Sequence, residues 1–206
     1  MKVKICGITT REVAETAYRA GADMLGFVFA DSSRRIEPLE AWNIIAELPA
    51  DVSAVGVFVN ETIAQIHRIA EEAGLDYIQL HGDETPEFCK ELALPVIKAF
   101  TIKEENDAKK LLEYECDFYL VDSPGSHYRG GSGKPFDWRL LQEQKLPREK
   151  MILAGGLNQD NVNEAIRLAR PAAVDVSSGV ETDGKKDQQK IISFIQKVKQ
   201  SKQGRE

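Results

Sequence analysis

Four short apolar runs end on side chains that could exchange protons or hold a polar ligand. Cys6 closes VKIC, His81 closes YIQLH, Asp122 closes FYLVD and Ser177 closes AVDVS. Within each run the polar residues share one parity. Lys4 and Cys6 alternate with Val3 and Ile5, and Gln79 and His81 with Ile78 and Leu80. Leu120 and Asp122 alternate with Tyr119 and Val121, and Asp175 and Ser177 with Val174 and Val176. Successive side chains of a strand point to opposite faces, so each polar set faces one way. A thiol, an imidazole and a carboxyl group gathered at one site can carry out general acid–base chemistry. Taken singly, each has a plainer explanation. A lone buried thiol is usually a small hydrophobe, which is the reading for Cys89 and Cys116, and a carboxylate such as Asp122 can be a structural or capping group.

Two glycine-bearing segments near the C-terminus suit an anion. AGGL (154–157) supplies Gly155 and Gly156, and VSSGVE (176–181) supplies Ser177, Ser178 and Gly179. Glycine lets the backbone approach a ligand closely, and exposed N–H groups bind phosphate. A third segment, GGSGKP (130–135), is not a nucleotide P-loop, because Pro135 stands where Ser or Thr is required and the GxxxxGK spacing is absent. It reads as a glycine-rich loop, Gly131 included, poised to close over a site beside Asp122. The three histidines (His67, His81, His127) and three cysteines are scattered without metal-ligand or disulfide spacing, so no metal is expected and a reducing cytoplasm is the natural setting.

The elements that must position these groups alternate along the chain. Strands are predicted at about 3–8, 24–30, 53–59, 77–81, 96–101, 118–122, 151–155 and 173–177, separated by about eight helical stretches. Thr10 and Thr62 are expected as helix caps, Gly21 and Gly74 as helix stops, and Pro86 as a first-turn residue. Strict alternation implies a parallel sheet, and eight units closing on themselves make a single-domain (β/α)₈ barrel over residues 1–200, with a frayed tail at 201–206. A doubly wound open sheet is the structural alternative, but no GxGxxG follows the first strand. In a barrel the polar parity faces the axis, the strand ends Cys6, His81, Asp122 and Ser177 converge on one mouth, and Lys4 and Asp175 are neighbours expected to pair. Lys98 is a further candidate to line the barrel, in an ion pair rather than a Schiff base.

Length and composition agree with one globular unit. The chain has 206 residues, 42% hydrophobic and 29% charged, and its 27 basic and 33 acidic residues give a net charge of −6. That balance argues against a nucleic-acid or anionic-membrane partner. No apolar run approaches the ~18 residues of a membrane span, and the N-terminus lacks the apolar stretch of a signal peptide. A small-molecule substrate and a monomer or homodimer are expected.

Jointly the motifs resemble the phosphoribosylanthranilate isomerase family. The matching stretches are KICGIT (4–9), GFVFADSSRRI (26–36), VGVFVN (55–60), QLHGDE (79–84), VDSPG and GGSGKPFDW (121–125 and 130–138), LAGGLNQDNV (153–162) and VDVSSGVE (174–181). The resemblance implies an Amadori rearrangement of N-(5-phosphoribosyl)anthranilate to 1-(2-carboxyphenylamino)-1-deoxyribulose 5-phosphate, without cofactor. It implies Cys6 as general base and Asp122 as general acid, and Arg35 as the cation that meets the anthranilate carboxylate; Arg34 beside it reads as a solvated surface charge. His81 is expected to contact polar groups of the substrate. A thiol with an ordinary pKa of ~8.5 is mostly protonated at neutral pH, so Cys6 would need help to ionise, and Lys4 one layer below is a source.

Other classes remain open from the residues alone. A metal-using epimerase would show clustered His and Asp ligands, and an indole-forming synthase would show catalytic lysines and a longer N-terminal extension. A non-catalytic phosphometabolite-binding module would bind phosphate without turnover.

Overall fold

Residues 1–102, 110–122, 138–141 and 146–201 are described in the computed structural model. Eight parallel strands close into a barrel in chain order. They are β1 (Lys2–Cys6), β2 (Met24–Val28), β3 (Ser53–Phe58), β4 (Tyr77–Leu80), β5 (Val96–Thr101), β6 (Phe118–Asp122), β7 (Met151–Leu153) and β8 (Ala173–Val176). Six α-helices are described: α1 (Arg11–Ala20), α2 (Pro38–Ile45), α3 (Ile63–Ala73), α4 (Pro86–Lys90), α5 (Val162–Ala169) and α6 (Gln188–Gln200). Between β6 and β7 the described residues include a 3₁₀ turn at Trp138–Leu141. After β8 comes a two-stranded ribbon, β9 (Glu181–Thr182) and β10 (Lys185–Lys186). The expected loop at 130–135, with Gly131, and the tail at 202–206 lie outside the described residues.

Helix boundaries follow local chemistry. The Thr10 and Thr62 hydroxyls accept the N–H groups of Val13 and Gln65, and Gly21 and Gly74 end their helices at φ 103° and 71°. Pro86 opens α4 behind the cap Thr85. A left-handed residue is costly for most side chains, so these two glycines fix where each helix stops.

Strand parity sorts the core into two layers. Val3, Ile5, Leu25, Phe27, Ile78, Leu80 and Val174 pack outward against the helices. Met24, Val55, Ile97, Ala99, Leu120 and Ile152 fill the barrel, with Cys6, Val28 and Val57 grouped separately. Lys4 pairs in register with Asp175 where β1 meets β8 and closes the barrel. Its ammonium lies 3.0 Å from Asp175 Oδ1 and is fully buried, as expected. Lys98 differs from expectation. Its neighbours Ile97 and Ala99 take the inner face. Lys98 donates instead to the carbonyls of Leu80 and Gly82 and to Glu84 Oε2, at 3.1 Å. That buried ion pair is the role anticipated for it, on the other side of the strand. Glu84 in turn accepts the N–H groups of Asn60 and Gly82, so one carboxylate ties the β3 and β4 rims together.

Candidate active site

One mouth of the barrel gathers the predicted residues. Cys6, His81, Asp122, Gly155, Gly156, Asp175, Ser177, Ser178 and Gly179 all border the same cavity. They come from the C-terminal ends of strands 1, 4, 6, 7 and 8, where barrel sites are built. The thiol of Cys6 and the carboxyl of Asp122 therefore open onto a common space from distant parts of the chain. Gly26 on β2 makes room for the thiol. A Cβ at Gly26 would stand 2.9 Å from Cys6 Sγ and 3.0 Å from Lys4 Nζ.

The electrostatics of Cys6 differ from the simple expectation. Burial pushes the thiol above its ordinary pKa, and Lys4, with a lesser contribution from Lys186, offsets only part of that while Asp175 adds to it. Lys4 itself is held above its ordinary value: burial opposes its charge, but Asp175 and Cys6 outweigh burial. The ammonium of Lys4 thus lies between Asp175 and the Cys6 thiol.

The two arginines have different surroundings. Arg35 is half exposed, pairs with Glu37 at 3.2 Å, and lines a separate groove with Gln65 and Arg68. Arg34, expected to be a solvated charge, lines the mouth. Its Nε and Nη2 each donate at 2.7 Å to the two oxygens of Glu181. Its stem crosses Gly7, where a Cβ would meet Arg34 Cδ at 2.6 Å, and Gly7 has φ 84°. Adjacent residues with one positive charge each cannot be ordered by sequence alone. The Glu181 fork and the bare surface of Gly7 decide which one turns inward.

Glu181 carries a second cation. Lys186 Nζ donates to Glu181 Oε1 at 2.6 Å and to the carbonyl and hydroxyl of Ser177 at 3.0 and 3.2 Å. Burial pushes Lys186 below its ordinary pKa against the pull of Glu181. Burial would raise Glu181, but Arg34 and Lys186 hold it below the usual carboxylate range. Glu181 and Lys186 were not singled out from sequence. The VSSGVE motif contained one of them, and no spacing signal marks the other.

The glycine segments meet backbone to backbone. Gly155 and Gly156 have φ 81° and 64°. Asn161 braces their loop, donating from Nδ2 to the Gly156 carbonyl and accepting the Asn158 N–H. Residues Ser178–Val180 form a single 3₁₀ turn. A Cβ at Gly179 would lie 1.8 Å from the Leu157 carbonyl oxygen, so the β7 and β8 loops touch there with no space for a side chain.

On the opposite side, Gln79 Nε2 lies 3.1 Å from His81 Nδ1, and His81 Nε2 lies 3.5 Å from Asp122 Oδ2. Gln79 is buried on the inner parity. Among the described residues, no three His, Cys, Asp or Glu side chains group to hold a metal ion. No described helix is long and apolar enough to cross a membrane.

Comparison with known proteins gives the family. Residues 3–197 fit the family model described as N-(5'phosphoribosyl)anthranilate (PRA) isomerase. A Bacillus cereus N-(5'-phosphoribosyl)anthranilate isomerase is 54% identical over 199 residues, covering 96% of this chain and 98% of the relative. The crystal structure of phosphoribosyl anthranilate isomerase from Thermotoga maritima superposes with a TM-score of 0.88 at 43% identity, over 97% of this chain and 99% of that one. A phosphoribosyl anthranilate isomerase in complex with reduced 1-(o-carboxyphenylamino)-1-deoxyribulose 5-phosphate superposes at 0.84, with 41% identity over 97% and 99% of the two chains. On this likeness along nearly its whole length, the chain belongs to the phosphoribosylanthranilate isomerase family.

Proposed function

We propose that Cys6 and Asp122 are the base and acid with which this family member isomerises N-(5-phosphoribosyl)anthranilate, an aminoaldose, to 1-(2-carboxyphenylamino)-1-deoxyribulose 5-phosphate, a step of tryptophan biosynthesis. What supports the reading is that the thiol and the carboxyl border one cavity at the strand ends of a phosphate-type barrel.

The chemistry divides between them. Asp122 gives a proton to the ring oxygen, the C1–O bond breaks, and the nitrogen lone pair forms an iminium. Cys6, as thiolate, removes the proton from C2, and the C–H electrons form the C1–C2 double bond of a neutral enolamine. Loss of the C2 hydroxyl proton and gain of one at C1 give the ketone. Burial opposes the thiolate in the resting site, and Lys4 and Lys186 favour it. The iminium adds a positive charge beside the thiol, so ring opening itself favours the base form needed next.

Arg34 is the cation offered to the anthranilate carboxylate, because Glu181 uses one edge of its guanidinium and leaves the other for a ligand. The phosphate sits between the β7 and β8 loops, at Gly155, Gly156, Ser177, Ser178 and Gly179. The protein works in the cytoplasm with its three cysteines reduced, as a monomer or homodimer that sedimentation velocity distinguishes.

The test is to follow the fluorescence of freshly made phosphoribosylanthranilate with purified protein. It is lost in wild type, and Cys6→Ala and Asp122→Ala each slow the loss by ~10²–10⁴-fold while keeping the native circular dichroism. A wild-type protein that leaves the fluorescence unchanged overturns the activity. Full activity in either variant removes that residue from the mechanism.

A further inference from the structure

Gln79 belongs to no role assigned so far. It lies two residues before His81 on the inner face of β4 and is buried. Its Nε2 stands 3.1 Å from His81 Nδ1, and His81 Nε2 stands 3.5 Å from Asp122 Oδ2. The three side chains form a line from the barrel interior to the carboxyl group at the mouth. Across β5 they pass the small inward residue Ala99.

A glutamine amide has a donor end and an acceptor end, and a neutral imidazole has one nitrogen of each kind. Whichever end of Gln79 faces Nδ1 therefore dictates where the imidazole proton sits. With the NH₂ end facing it, Nδ1 keeps a lone pair and the proton is on Nε2, directed at Asp122. This orientation leaves Gln79 Oε1 buried with no hydrogen-bond partner among the described residues. The reverse orientation would give Oε1 a partner. It would also strand two N–H donors. An under-satisfied carbonyl is the more tolerable of these costs. A buried orphan of this kind calls for a functional reason.

We propose that Gln79 is a positioning residue for the general acid. It holds His81 as the Nε2–H tautomer, and that N–H is directed at Oδ2 of Asp122, fixing the orientation of the carboxyl group. The 3.5 Å gap shortens to a hydrogen bond when substrate fills the mouth, as catalytic hydrogen bonds commonly do. This inference rests on the assignment of Asp122 as the acid.

The tautomer of His81 is read by long-range ¹⁵N–¹H correlation on the intact protein, and steady-state kinetics supply the second readout. Wild type shows protonated Nε2 and bare Nδ1. Gln79→Glu, whose carboxylate can only accept, moves a proton to Nδ1 and lowers kcat by ~10–100-fold with KM within about threefold, the range typical of outer-shell partners of functional groups. Gln79→Met keeps the bulk without either end. It gives a mixture of tautomers and a smaller fall in kcat, and it carries the test if the glutamate variant does not fold. A wild-type His81 protonated on Nδ1, or wild-type kcat in both variants, overturns the proposal. Failure of the parent assignment looks different: Asp122→Ala retains its activity while the His81 tautomer is as described.

Discussion

On the proposed function Arg34, rather than Arg35, meets the substrate carboxylate, and the pair makes a sharp test. Arg34→Ala removes the guanidinium edge left open by Glu181. A hydrogen bond to a charged partner contributes about 1.5–3 kcal/mol, and each 1.4 kcal/mol is a factor of ten. Loss of that contact therefore raises KM by roughly 10–100-fold. Glu181 keeps Lys186 as a partner, so the fold tolerates the change. Arg35→Ala removes a pair between two side chains that are 54% and 63% exposed. Such pairs contribute about 0.2–1 kcal/mol to stability, and KM stays within about twofold. Arg34→Lys keeps the charge but loses the fork, and falls between the two. The assay is initial rate against phosphoribosylanthranilate concentration, with thermal melts of each variant. If Arg35→Ala raises KM tenfold while Arg34→Ala leaves it unchanged, the assignment is refuted.

Other substitutions probe the supports of the site. Gly26→Ala pushes its methyl against Cys6 Sγ at 2.9 Å; displacing the thiol by several tenths of an ångström lowers kcat about tenfold with little change in KM, since a 1 Å shift costs ~10²-fold. Lys98→Met strands Glu84, whose side chain is 2% exposed, and costs about 3–5 kcal/mol, seen as a melting point lower by roughly 6–20 °C. Adding Glu84→Gln recovers part of that loss; a further drop instead would argue against the pair. Cys6 alkylation by iodoacetamide, followed peptide by peptide in the mass spectrum, is slower than that of free cysteine at pH 7. It accelerates only above the ordinary thiol range, because burial raises the thiol pKa. Rapid labelling at pH 7 contradicts that protonation state.

Much of this was legible from residues alone, because period-2 alternation survives on strands whose two faces differ in polarity. Lys4 with Cys6, Gln79 with His81, and Asp175 with Ser177 each announced an inner face. β5 lacked that signal. Ile97 and Ala99 are as apolar as the outward residues, so the sequence does not tell which face Lys98 takes, while its ion pair is legible. The arginines carried no such signal either. After β2 the chain leaves the ladder, and no period applies to two like residues in a loop. Their directions depend on Glu181, some 147 residues away in sequence. Lys186 was invisible for the same cause: its burial arises from the ribbon after β8, a feature with no periodic signature of its own.

The contact between Gly179 and the Leu157 carbonyl has a bearing on how this scaffold can diversify. Two neighbouring turns locked main chain to main chain cannot be resculpted by exchanging side chains there. On the proposed function, a new ligand keeps an anionic terminus of the same size there. Novelty is left to the far rim, where Arg34 and His81 present replaceable groups. A library confined to that rim would retain the anchor while altering what hangs from it.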